Sequence, residues 1–225
     1  MIFQIPEVLK PDQVAQIRKG LEKASWADGR ATAGQQAARV KDNTEAPKDQ
    51  AAIQEAGATI LAALTQNKLF AMAALPQRIS QPQFNRYQPG QSYGLHVDNA
   101  IRPAAGAGLM RSDLSATLFL SAPDEYDGGE LTMEDTFGVH DVKLPAGHLV
   151  LYPASSLHQV KPVTKGVRLA SFFWIHSMIR DDGERTLLLD LDVAIQQIHQ
   201  RNPGDPAASQ LVGVYNNLLR RWAEV

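Results

Sequence analysis

Residues 85–100, NRYQPGQSYGLHVDNA, set one strand-like run before the turn cluster Gln88–Gln91 and another after it, and the second run carries His96 and Asp98 two positions apart. Pro and Gly in the cluster favour a turn, while the flanking aromatic and branched residues favour extended chain. Working outward, the same texture recurs from residue 78 to residue 178. The runs 78–87, 92–98, 114–121, 129–134, 139–144, 148–152, 158–163 and 167–178 read as strands, separated by clusters such as APDEYDGG, LPAG and VTKG. This spacing predicts an antiparallel sandwich or barrel, and the expected fold class is mainly β with flanking helices (α+β) around a double-stranded β-helix, or jelly roll. GGEL at 128–131 lacks the helix start and Lys-Ser/Thr of a phosphate loop and reads as a tight turn leading into a strand.

The flanks are helical in period. Val14, Ile17 and Leu21 predict a helix over 11–24, and Ala-rich sequence from Lys48 to Leu75 predicts two more, ended by Pro76. Two helices are expected beyond Arg180. Trp26–Pro47 and Asn99–Asp113 lack periodicity and read as long loops. The expected organisation is an N-terminal helical segment packing on the core (1–76), a jelly-roll domain (77–180) and a C-terminal helical extension (181–225).

Among the 225 residues, 44% are hydrophobic and 20% charged, the balance of a soluble globular protein. The formal charge of −2 and the lack of a dense Lys/Arg stripe argue against nucleic acid as a partner. The N-terminus MIFQIPEVLKPDQ has no basic n-region, and nowhere do about 18 apolar residues run together, so neither a membrane span nor a signal peptide is expected and a cytoplasmic location is. With no cysteine in the chain, disulfides, thiolate metal sites and a Cys nucleophile are excluded.

Any metal must therefore be held by His and carboxylates. Six histidines are present, at 96, 140, 148, 158, 176 and 199. On a strand the side-chain period is two, so His96 and Asp98 project from one face and can share an ion. A lone H-x-D arises often by chance, and a strand histidine is more often structural than a ligand. The third ligand must come from elsewhere, and His158, in LYPASSLHQV at the start of a later strand, is the best placed. Two histidines and one carboxylate leave about three positions open on an octahedral iron(II), enough for a bidentate oxo acid and dioxygen. Arg168 follows His158 by ten residues, across VTKG, which reads as a hairpin turn pairing the two strands and aiming both side chains inward. A guanidinium inside a barrel is costly unless it meets an anion such as a ligand carboxylate. His140, His148 and His176 read as core or rim packing, and His199 as lying on a solvated helix face.

His96, Asp98, His158 and Arg168 together resemble the H-x-D…H…R pattern of iron(II)/2-oxoglutarate dioxygenases. NRYQPGQSYGLHVDNA, YDGGELTMED and LPAGHLVLYPASSLHQVKPVTKGVRLASFFWIHSMIRDD, with the helical flanks, further resemble the PKHD-type hydroxylases, a prolyl hydroxylase-like branch, over nearly the whole chain. The resemblance implies that His96, Asp98 and His158 are the catalytic iron ligands and that Arg168 anchors 2-oxoglutarate. It implies hydroxylation of a C–H bond with decarboxylation of 2-oxoglutarate to succinate and CO2, L-ascorbate (vitamin C) as reductant, and a link to iron uptake. Tyr87 and Tyr93 fall where related hydroxylases have co-substrate pocket tyrosines. Phe119 stands near the place of a tyrosine common in animal prolyl hydroxylases, so the carboxylate pocket is expected to differ in detail. Two other readings stay open: a zinc hydrolase using the same triad, which needs a nearby acidic base and leaves Arg168 without a use, and a non-catalytic jelly-roll sensor of metal or oxo acid. The primary substrate, small molecule or peptide, is unassigned, and the apolar face of the C-terminal helices suits a homodimer.

Overall fold

The computed structural model describes residues 1–104, 108–135 and 138–225. Strand β1 (Phe3–Ile5) leads into helix α1 (Pro11–Glu22), where Pro11 starts the first turn and Gln13 caps it by accepting from the Lys10 N–H at 2.9 Å. Three two-residue strands follow, β2 (Ala27–Asp28), β3 (Lys41–Asp42) and β4 (Thr44–Glu45). Helices α2 (Ala51–Gln66) and α3 (Lys68–Ala74) meet at Asn67, whose side chain caps α3 by accepting from the Phe70 N–H. Leu75, left-handed at φ 41°, ends α3 just before Pro76.

The strands β5 (Pro76–Ile79), β6 (Gln83–Tyr87), β7 (Ser92–His96), β8 (Ile101–Pro103), β9 (Leu109–Arg111) and β10 (Leu114–Phe119) come next. They are followed by β11 (Tyr126–Gly128), β12 (Leu131–Asp135), β13 (Gly138–Val142), β14 (Leu149–Pro153), β15 (Leu157–Val160), β16 (Val163–Gly166) and β17 (Arg168–Ser177). Helices α4 (Asp182–Arg201) and α5 (Pro206–Trp222) close the chain, capped by Asp181 and Asp205. Among the described residues, no helix is long and apolar enough to cross a membrane.

Two antiparallel sheets face one another. The larger runs β1-β14-β10-β17-β6-β4-β2, with β5 also on β17, and the smaller runs β13-β12-β15-β7-β3. The pattern is that of a jelly roll. All six residues of β10 are buried because both faces of the large sheet are covered. Leu114, Ala116 and Leu118 pack with Leu149, Leu151, Phe173 and helices α1 to α3, whereas Phe119, Val150 and Tyr152 join Leu131, Met133, Val142 and Val160 of the small sheet in the space between. The α4–α5 hairpin adds a third cluster, with Ile179 and Leu188 against Leu75 and Tyr215, Leu219 and Trp222 packed around them. Arg185, 1% exposed, fastens it by donating to the Ile179 carbonyl and to Asp182, which also receives the N-terminal ammonium.

The structure departs from the sequence-based expectations in several places, among them the cluster APDEYDGG, which holds strand β11. Run 78–87 is two strands, parted at Ser80–Pro82, where proline has no N–H for a ladder. The expected loop Trp26–Pro47 instead supplies edge strands to both sheets, β2 and β4 to the large one and β3 to the small one. The expected loop 99–113 holds the hairpin β8–β9, whose residues 105–107 lie outside the described ones. Finally, VTKG does not join the strands of His158 and Arg168. It is itself strand β16, paired with β11, while β15 and β17 lie in opposite sheets. Gly128 and Gly129 make this possible: both have positive φ, and a Cβ on Gly128 would stand 2.2 Å from the Pro162 carbonyl oxygen. The tight turn read from GGEL is this glycine pair.

Candidate metal centre

In the small sheet β7 and β15 are neighbours, and their register places His96 directly opposite His158 with ring centroids 4.2 Å apart. Asp98 lies just beyond the end of β7 and turns to the same inner side, so one potential ligand atom from each of the three residues falls within 4.8 Å of the others. Each ring is oriented by its own strand. His96 Nδ1 sits 2.9 Å from the Gly94 carbonyl and His158 Nδ1 3.0 Å from the Ser156 carbonyl, so donation from Nδ1 leaves the Nε2 lone pair free for a cation. Tyr93 stacks on His96 with centroids 3.6 Å apart, and Tyr152 meets His158 edge-on.

Asp98 is held from two sides, by the large sheet and by the β8–β9 hairpin. The Ser115 hydroxyl donates to Oδ2 at 2.6 Å and Arg102 to Oδ1 at 3.2 Å. Burial would raise the Asp98 pKa, but His158, the Ser115 and Trp174 hydrogen bonds and Arg102 outweigh it and keep the carboxyl below its ordinary value. Burial, then the neighbouring His158, pushes His96 the other way, down to about 4. At neutral pH the His96 ring is therefore uncharged and the carboxylate ionised, the states that bind a divalent metal.

His96 also leaves a mark on stability. Its pKa falls from about 6.5 in the unfolded chain to about 4 on folding, so the unfolded state takes up the proton first. The metal-free protein should keep this contribution in full above about pH 6.5 and lose roughly 2–3 kcal/mol as pH drops toward 4. Urea titrations of chelator-treated wild type and His96→Gln check this; identical pH slopes would show that the ring is not buried as described.

Arg168 begins β17 on the large sheet and reaches the same space from the other side. It is 1% exposed, and among the described residues it forms no ion pair, while its Nε and Nη1 have no hydrogen-bond partner. Its guanidinium lies 5.4 Å from the ring centroids of both Tyr87 and Phe119. A Cβ on Gly129 would press on the Arg168 stem at 3.1 Å, so this glycine gives the arginine its passage. Burial pushes the Tyr87 phenol up, which keeps it a protonated donor. Arg168 and His158 both point inward because the two sheets face each other, and not because their strands pair.

His96, Asp98, His158, Arg168, Tyr87 and Tyr93 all line one cleft of about 730 Å³, its open mouth included. His140, His148, His176 and His199 do not line it. The sequence reading passed over Arg102 and Ser115, which hold Asp98, and Trp174, Lys41, Asn43, Glu45 and Asn85, which line the cleft. Strand parity could have pointed to Ser115, two positions from the inward Thr117. Nothing in the aperiodic 26–47 segment marked its residues. Three donors grouped on one side, with a buried cation that lacks an anion, fit a metal chelated by an oxo acid whose far carboxylate meets Arg168.

Residues 82–176 match the 2OG-Fe(II) oxygenase superfamily and residues 182–224 the PKHD-type hydroxylase C-terminal domain. A PKHD-type hydroxylase of Xanthomonas campestris pv. campestris (strain B100) is 57% identical over 228 residues, covering the whole of both chains. Among solved structures, a Pseudomonas putida prolyl-4-hydroxylase is 25% identical with a TM-score of 0.51, over 78% of this chain and 92% of its own. A Trichoplax adhaerens prolyl hydroxylase in complex with a hypoxia inducible factor oxygen degradation domain peptide fragment shares the fold, with a TM-score of 0.56 and 17% identity over 83% of this chain and 86% of its own.

Proposed function

The chain belongs to the PKHD-type hydroxylases, iron(II)- and 2-oxoglutarate-dependent enzymes, and from that premise we propose that His96, Asp98 and His158 hold the iron while Arg168 anchors 2-oxoglutarate. The observation that carries this reading is the convergence of a His-Asp-His set with a buried arginine whose Nε and Nη1 are unpartnered. When bound, iron(II) and 2-oxoglutarate supply the oxidising power that turns a C–H bond and dioxygen into C–OH, succinate and CO2. The protein's own residues do the rest. The two carbonyl-anchored rings present Nε2 without reorganisation, Asp98 brings the negative charge that offsets the cation, and Arg168 fixes the far carboxylate so that the oxo end reaches the metal. Tyr87 donates a hydrogen bond to the co-substrate, and Tyr93 braces the His96 ring.

The molecule to be hydroxylated enters from the open mouth of the cleft. Ascorbate as reductant, a cytoplasmic location and a link to iron uptake belong to the same proposal and are supported by family resemblance alone. A zinc hydrolase would leave Arg168 without a use. The test is oxygen-dependent formation of succinate by purified protein supplied with iron(II), 2-oxoglutarate and ascorbate. Succinate should form slowly without added substrate, stop on chelation and not return with zinc. No succinate in excess over a no-enzyme control, with iron and 2-oxoglutarate both bound, would favour a sensor.

A further inference from the structure

The cleft contains more unsatisfied polar groups than a metal and an oxo acid account for. Asn43 is the single residue between β3 of the small sheet and β4 of the large one, so it sits where the two sheets come together. Asn85 lies on β6, opposite Glu45 on one side and Ala170 on the other, and is two positions from Tyr87 on the same inner face. Along β17 it is level with Ala170, one inward step from Arg168 toward Phe172 and Trp174. Both asparagines line the cleft, at 2% and 8% exposure. Neither Nδ2 nor Oδ1 of Asn43 has a hydrogen-bond partner, and neither does Oδ1 of Asn85. The Tyr87 phenol is close enough to feel Asn43, yet no hydrogen bond of normal geometry joins them.

Thr32, Lys41 and Glu45, which line the same cleft, bond to one another instead. Lys41 Nζ donates to Glu45 and to the Thr32 hydroxyl, and that hydroxyl donates to the second Glu45 oxygen at 2.6 Å. Asn43 is also held in place: a Cβ on Gly29 would stand 1.9 Å from its Oδ1. A buried polar group left unpaired opposes folding, so a ligand that supplies the missing bonds binds more tightly than one that does not.

We infer that Asn43 and Asn85 form a specificity subsite for a neutral amide group of the primary substrate, an inference that rests on the enzymatic reading above. Arg168 offers donors alone and suits an anion. Asn43 offers a donor and an acceptor, and Asn85 adds a carbonyl, so the complementary group must both accept and donate, as –CO–NH– does. A carboxylate would set its oxygens against those carbonyls, and a hydrocarbon would leave all of them unpaired. Interchanging O and N in Asn43 keeps its one donor and one acceptor, and the inward carbonyl of Asn85 is what tells an amide from a carboxylate.

The variants Asn43→Leu and Asn85→Leu keep the branched shape and remove the polarity. In metal-free protein they should leave Tm unchanged or raise it, because no protein hydrogen bond is lost; a fall of several degrees would make the amides structural and overturn the inference. With iron(II) bound and oxygen excluded, 2-oxoglutarate affinity should stay within about twofold of wild type, since Arg168 and Tyr87 and not the asparagines meet the co-substrate. A tenfold loss would place them in the co-substrate site instead. Calorimetry of that ternary complex should show N-acetylalanine N-methylamide binding to wild type, butyrate not binding, and the methylamide weakened at least tenfold in either variant. No methylamide binding by wild type, or equal binding by the variants, would overturn the subsite and leave water as the partner of the amides. Failure of the enzymatic reading looks different, because wild type itself would then bind no iron or no 2-oxoglutarate.

Discussion

Replacing His96, Asp98 or His158 with Ala should remove iron(II) from the purified protein, lowering affinity at least a hundredfold in each case. Outer groups that merely orient ligands cost about 10–100-fold when lost, and a direct ligand should cost more. The three positions should differ in kind. Asp98→Asn keeps the shape and the Ser115 contact but loses the charge that offsets the cation, so it should bind iron more weakly than Ser115→Ala, which leaves the carboxylate in place. Equilibrium dialysis against iron(II) under nitrogen measures the whole series. Undiminished stoichiometry in the three alanine variants would sink the triad. A large loss in Ser115→Ala with little in Asp98→Ala would show that the carboxylate is a structural acceptor and not a ligand.

How much of this was legible in the chain itself depends on whether the signal is local. His96 and Asp98 were readable because a period of two is a property of a single strand, although Asp98 lies just past the strand's end and its carboxylate is held by Ser115 and Arg102. The helices were readable because Val14, Ile17 and Leu21, or Ile53, Ile60 and Leu64, mark one face within one segment. Partner choice between strands was not. The ten-residue spacing from His158 to Arg168 suggested a hairpin, but Gly128 and Gly129 turn the chain so that β11 captures residues 163–166, and the two strands go to opposite sheets. Segment 26–47 was missed for a related reason. Strands two residues long have no period of their own and exist because β6 and β7 offer open edges to pair with. Asn43 and Asn85 are ordinary polar residues in sequence, and only burial without partners sets them apart.

Arg168→Leu should leave iron binding nearly intact and weaken 2-oxoglutarate by about a hundredfold or more. Arg168 sits on the opposite sheet from His96 and His158 and touches none of His96, Asp98 and His158 by hydrogen bond or ion pair. A charge-assisted hydrogen bond contributes about 1.5–3 kcal/mol, so loss of a two-pronged contact to a carboxylate implies at least that change. Arg168→Lys should fall between wild type and Leu, since the ammonium restores charge without the planar fork and stops short of the site. Stability supplies a second reading of the same residue. In the ligand-free protein a buried guanidinium with unpartnered Nε and Nη1 opposes folding, so Arg168→Leu, packed between Tyr87 and Phe119, should melt at or above the wild-type temperature. With a redox-inert divalent metal already saturating both proteins, added 2-oxoglutarate should raise the wild-type Tm further and leave that of the variant nearly unmoved. An arginine kept for structure would give the opposite pattern, with a lower Tm in Arg168→Leu and an equal 2-oxoglutarate-induced rise in both proteins.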